Sequence, residues 1–161
     1  MEKLSLALYL YSILFYKPTP ELVEKAREIA EILGDDIALS VIDELGYEGL
    51  LREYSKAFKP GSRGRVCAPY ESYYREGLIY GDTSVELRKY YKSRGYELFV
   101  EGELPDHIAV ELEYASITLD EDIIRRIKTW LPRLVEDLKN CSMIYAKLGE
   151  NLLRILEETP L

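Results

Sequence analysis

Residues 102–114, GELPDHIAVELEY, place the chain's single histidine, His107, directly after Pro105 and Asp106. An acid beside a base at a predicted helix start can do three kinds of work: move a proton, form one corner of a metal site, or clamp a polar group on something that binds. Glu111 follows four residues after His107, with Tyr114 one turn further on, so a helix would put all three on one face. Each has a plainer role as well. Proline suits a first helical turn, and an aspartate beside it meets unpaired backbone N–H groups, so Asp106 is expected to cap its own helix. His107 could do no more than make a structural hydrogen bond.

A metal corner fits poorly, because one histidine among carboxylates lacks the two or three His or Cys ligands that zinc recruits. A catalytic pair lacks companions, with no serine or cysteine nucleophile motif, no glycine-rich phosphate loop and no second histidine. The chain is therefore expected not to be an enzyme, with a small acid–base catalyst using Asp106 and His107 as the lesser alternative. Binding is the chemistry that remains.

The elements that must position these residues are helices. Apolar residues recur at helical spacing nearly throughout, so the fold class is all-α, a single domain over residues 1–161. A buried first helix accounts for Leu4 to Tyr16; the run is too short to cross a bilayer and has no small-residue cleavage site, so it is neither span nor signal peptide. Thr19 and Pro20 open a helix that Gly34 ends. Ile37 to Leu45 forms a short helix stopped by Gly46, and Tyr47 to Phe58 another. Residues 59–69 form a loop, and 69–81 a short helix or two turns. Thr83 and Glu86 have the spacing of a capping box for a helix reaching Arg94. Residues 96–104 read as an extended linker between an N-terminal lobe, about 1–95, and a C-terminal lobe, about 104–161. A helix from Pro105 to Thr118 follows. Asp120 caps the next, which Pro132 should break or kink near Trp130. A last helix covers Ser142 to Glu157.

Net charge is −8 with pI near 4.9, which argues against nucleic acid as a partner and favours a basic one. Cys67 and Cys141 lie far apart without CxxC spacing and read as reduced thiols of a cytoplasmic protein. Glutamine is absent and asparagine occurs only at 140 and 151, a balance typical of a thermophile. Fourteen tyrosines supply apolar area with polar tips, a composition suited to recognition. Arg125 and Arg126 sit mid-chain in a predicted helix and read as a solvated face, not as an export signal.

ELPDH (103–107) with ELEY (111–114), PYESYY (69–74) and WLP (130–132) resemble, in order and spacing, the motifs of the TorD, DmsD and NarJ group of redox-enzyme maturation chaperones. The resemblance covers essentially the whole chain. Leu134 and Ala115 depart from the family pattern, where larger apolar residues are common. It implies a cytoplasmic, non-catalytic protein that binds the N-terminal leader, commonly a twin-arginine leader, of a molybdenum-containing oxidoreductase subunit and assists cofactor insertion before export. Contact with the enzyme body is the alternative or additional mode. The resemblance implies no cofactor beyond a suggested guanine nucleotide, no membrane insertion, and a monomer or segment-swapped dimer. An Arg-Arg leader calls for clustered carboxylates that accept planar guanidinium groups and an apolar groove behind them. Glu103, Asp106 and Glu111 are the expected clamp, with His107 positioning a carboxylate or a peptide carbonyl; Tyr70, Tyr73, Tyr74 and Tyr80 are the expected groove; and Pro105, Tyr114, Glu71 and Trp130 complete the expected peptide-binding residues.

Overall fold

The computed structural model describes residues 2–58, 67–97 and 103–160. They form eight helices: α1 Lys3–Phe15, α2 Pro20–Leu33, α3 Asp36–Phe58, α4 Glu71–Glu76, α5 Asp82–Ser93, α6 Ile108–Thr118, α7 Glu121–Leu138 and α8 Met143–Glu157. Among the described residues the only β feature is an isolated antiparallel bridge between Tyr70 and His107. Most of the expected linker, residues 98–102, lies outside the described residues, as does most of the expected loop, residues 59–66.

Local signals set most helix ends. Thr19 accepts a hydrogen bond from Leu22 N at 3.1 Å, with Pro20 at the first helical position, and Gly34 closes α2 at φ +68°. Gly46 interrupts α3 at φ +63°, so the two expected helices meet at a sharp corner that a side chain would resist. Asp120 caps α7 through Asp122 N and Ile123 N, and Ser142 caps α8 through Tyr145 N.

Three expectations need correction. Pro132 does not end α7, which runs unbroken from Glu121 to Leu138. The proline faces solvent, where the carbonyl it leaves unpaired can meet water, while Trp130, Leu131, Leu134 and Val135 anchor the helix from its buried side. Thr83 is not the cap of α5, because that helix starts two residues earlier than such a cap requires, at Asp82 after Gly81. Its N–H and hydroxyl both reach the Glu76 carboxylate, at 2.9 and 2.7 Å, so a glutamate of the preceding helix does the capping. The helix expected from Pro105 begins at Ile108, with His107 as its N-cap.

One continuous core runs through all of this. α1 lies along α6 and also touches α2 and α8, while α3 packs on α8 and α7 on both α6 and α8. Leu8, Leu10, Tyr11, Phe15, Leu112, Trp130, Leu134, Tyr145 and Leu148 fill the interior. Ser12 donates to Ala109 O at 2.7 Å and Tyr16 to Glu113 at 2.6 Å, which fixes the slide of α1 along α6. Gly149 permits a close approach of α8 to α7, since a Cβ there would stand 2.7 Å from Val135 Cγ2. No helix of the described residues is long and apolar enough to cross a membrane.

Candidate functional site

The 103–111 motif, the start of α4 and the middle of α7 converge on one buried cluster of charged side chains. Glu71, Asp106, His107 and Glu111 are each fully buried. Burying four titratable groups is costly unless each is paired, and the pairing defines the site.

Asp106 does cap a helix, but not its own. Its Oδ2 accepts from Ser72 N at 2.8 Å and its carbonyl from Glu71 N at 3.0 Å, so it satisfies the first turn of α4 across 34 residues of chain. Ile108 N donates back to Pro69 O at 2.8 Å. The two segments are thereby stitched together around the Tyr70–His107 bridge. The α6 cap that Asp106 gives up is supplied by His107, whose Nδ1 accepts from Ala109 N at 2.9 Å. With Nδ1 an acceptor, the ring's proton belongs on Nε2, and Nε2 faces Glu103 Oε2 at 2.7 Å. Tyr16 stacks on the imidazole with ring centres 6.0 Å apart, and Tyr70 meets it edge-on at 5.2 Å.

Glu71 is the anion at the centre. Arg126 reaches it with two nitrogens, Nε to Oε1 at 3.2 Å and Nη2 to Oε2 at 3.1 Å, and Arg75, one turn along α4, also contacts Oε2. Two guanidiniums on one buried carboxylate is the geometry of strong, planar recognition. The expectation that Arg125 and Arg126 form one solvated face therefore holds for half the pair. Arg125 is exposed and pairs locally with Asp122 and Glu121, whereas Arg126 turns inward.

Glu111 sits behind Glu71. Its Oε1 accepts from Trp130 Nε1 at 2.9 Å. Burial, then the charge of Glu71, push its carboxyl well above the ordinary carboxylate range. Glu111 Oε2 has no donor of its own, and neither has Asp106 Oδ1. A proton on Glu111 converts its repulsion from Glu71 into a hydrogen bond.

The remaining expected residues divide. Tyr114 is buried against Tyr91, ring centres 4.6 Å apart, and donates to Asp120 at 3.0 Å. Tyr74 is buried against Trp130 and donates to Asp137 at 2.8 Å. Pro105 is buried, and its carbonyl accepts from Tyr91 at 3.1 Å. Tyr70 and Tyr73 are half-buried, and Tyr80 stands 59% exposed in the turn between α4 and α5. The structure thus gathers Glu71, Asp106, His107 and Glu111 in one buried cluster, while Tyr74 and Tyr114 are core side chains and Tyr80 is exposed. A cleft of about 870 Å³ does exist, among Lys3, Leu4, Asp36, Ile37, Arg154 and Glu158, and none of the motif residues lines it. Among the described residues no group of His, Cys, Asp and Glu is placed to hold a metal.

Sequence reasoning missed Ser72, Arg75, Arg126 and the two cysteines. Arg75, four residues after Glu71 on a short helix, was findable by spacing; the others depend on the fold. Cys67 and Cys141, expected to be reduced thiols, are joined in a disulfide with Cα atoms 6.6 Å apart. The segment leading into α4 packs beside the turn from α7 to α8 and cancels their separation in sequence.

The chain belongs to the nitrate reductase delta subunit family, whose model matches residues 18–143, and with it to the NarJ/TorD-like redox-enzyme maturation chaperones that the motifs resemble. It is also similar to a crystal structure described as that of a proposed redox enzyme maturation protein from Archaeoglobus fulgidus. That similarity amounts to 30% identity and a TM-score of 0.84 over 95% of this chain and 93% of the other. No curated protein matches it.

Proposed function

We propose that this chain is a cytoplasmic chaperone for a molybdenum-containing oxidoreductase subunit, and that it binds the arginine-bearing N-terminal leader of that client until cofactor insertion is complete. The observation that carries the reading is the pair of guanidiniums on Glu71. The cluster of Glu71, Asp106 and Glu111 already holds two arginines of its own chain, one of them bidentate, so its chemistry is that of an arginine receptor. Asp106 Oδ1 keeps unfilled acceptor capacity there. A leader's arginines would exchange with Arg75 and Arg126 after the segment carrying α4 lifts, and the apolar stretch behind them would cover the surface this uncovers.

Titration with a peptide carrying Arg-Arg before an apolar stretch, alongside Lys-Lys and neutral versions, tests the reading. The Arg-Arg peptide should bind tightest because lysine cannot make the planar two-nitrogen contact. Equal, weak binding of all three refutes it. A second reading, docking on the client's folded body, is favoured by the exposed turn Leu78, Ile79 and Tyr80. A client subunit that binds equally well with its leader deleted would favour that second mode.

A further inference from the structure

The charged cluster is roofed by one segment, residues 67–76. Its contacts with the motif below include the Ile108 N to Pro69 O bond, the two bonds from Glu71 N and Ser72 N to Asp106, the Tyr70 hydroxyl to Glu103 at 3.4 Å, and the edge-on contact of Tyr70 with His107. On its other side the segment is tied to α7. Arg133 donates to Tyr74 O at 2.6 Å, Tyr74 stacks on Trp130 and donates to Asp137, and Glu71 meets Arg126. At its leading end stands Cys67, bonded to Cys141 in the turn between α7 and α8.

We propose that the Cys67–Cys141 disulfide is the latch of this roof. Oxidised, it holds residues 67–76, with Glu71 on their underside, down over Asp106 and Glu111; reduced, it lets the roof lift and opens these carboxylates to guanidinium groups from outside. Two observations point the same way. The bond is the one covalent crosslink on a roof otherwise held by hydrogen bonds, ring contacts and the Glu71–Arg126 ion pair, and beneath it a buried carboxylate oxygen, Asp106 Oδ1, lacks a partner.

Cys67 is buried and Cys141 half-buried, so a dithiol reductant attacks at Cys141. Its thiolate forms a mixed disulfide there and the Cys67 thiolate leaves; the reductant's second thiol then displaces Cys141. The S–S bond of the protein breaks, that of the reductant forms, and two electrons and two protons pass to the protein as two thiols.

As a mechanism of client binding this rests on the leader reading above. Amide hydrogen exchange should be followed on the oxidised protein, on the protein held in a dithiol, and on the Cys67→Ser/Cys141→Ser variant, with Arg-Arg peptide titrations of the same three samples. The amides of Glu71, Ser72 and Ile108 should exchange about tenfold faster in both unbridged forms while those of α1 stay slow, as expected for local opening. Peptide affinity should rise about tenfold with them. Redox-independent exchange at the three amides overturns the proposal, and so does faster exchange with the same measurable affinity in every form. A roof that opens on reduction while no form binds any peptide upholds the latch and removes the leader reading instead. Measuring reduced wild type beside the double variant separates loss of the bond from any packing effect of serine.

Discussion

Replacing Glu111 by glutamine tests the account of the buried cluster most directly, because it predicts a pH dependence with a definite sign. In the unfolded chain the Glu111 carboxyl loses its proton near the ordinary 4.5, whereas burial and the neighbouring Glu71 keep it protonated to well above that in the fold. Above 4.5 the folded state therefore binds more protons than the unfolded state, and stability falls as pH rises until the folded group itself ionises. One such proton is worth about 1.4 kcal/mol per pH unit. Glutamine occupies nearly the same volume, keeps an oxygen for Trp130 Nε1 and presents an N–H toward Glu71, yet does not titrate. Relative to wild type, Glu111→Gln should gain stability as pH rises above 4.5, by up to about 1.4 kcal/mol per pH unit, until the folded carboxyl ionises. Urea unfolding of both proteins across that range, compared as differences so that other groups cancel, measures it. A flat difference would mean that Glu111 is ionised in the fold and that the proton assigned between it and Glu71 is absent.

Breaking the disulfide removes a crosslink between residues 74 apart, for which loop entropy gives about 4 kcal/mol and a fall in Tm of roughly 10–15 °C for a chain of this size; calorimetry with and without a dithiol reads it, and equal midpoints would show that the bond adds no stability. Trp130→Phe leaves Glu111 Oε1 without its donor and should cost about 1–3 kcal/mol in chemical unfolding, a cost that Glu111→Gln in the same chain does not relieve. Gly149→Ala drives a methyl into Val135 and should cost about 1–3 kcal/mol, with part of the loss recovered by Val135→Ala.

What the sequence made legible was whatever local chemistry decides. Gly34 and Gly46 adopt positive φ where helical periodicity lapses, and Thr19, Asp120 and Ser142 accept from amides two or three residues ahead. The motif residues 103–111 were recognisable as a polar group worth explaining, and they do assemble in one place. Their partners were not legible. Asp106 stands where it could cap α6, yet the amides it serves belong to α4, and His107 takes over because its Nδ1 can stand in for a carboxylate. Neighbouring arginines on one helix differ by about 100° in direction, so Arg125 meets water and Arg126 meets Glu71. The fate of the cysteines turned on which loop lies beside the α7–α8 turn, a fact of topology that spacing in sequence does not encode.

The position of α1 bears on how the protein is made. Its apolar surface is completed by α6 and α8, and Asn151 of α8 donates to both Tyr11 and Asp35 near the other end of the chain. During synthesis Leu8, Leu10 and Phe15 leave the ribosome long before the segments that shield them, so a stalled or truncated product carries a greasy, unshielded helix. A molecule that attends the birth of another protein has, on this architecture, a vulnerable infancy of its own, which lasts until α6 has emerged to cover α1.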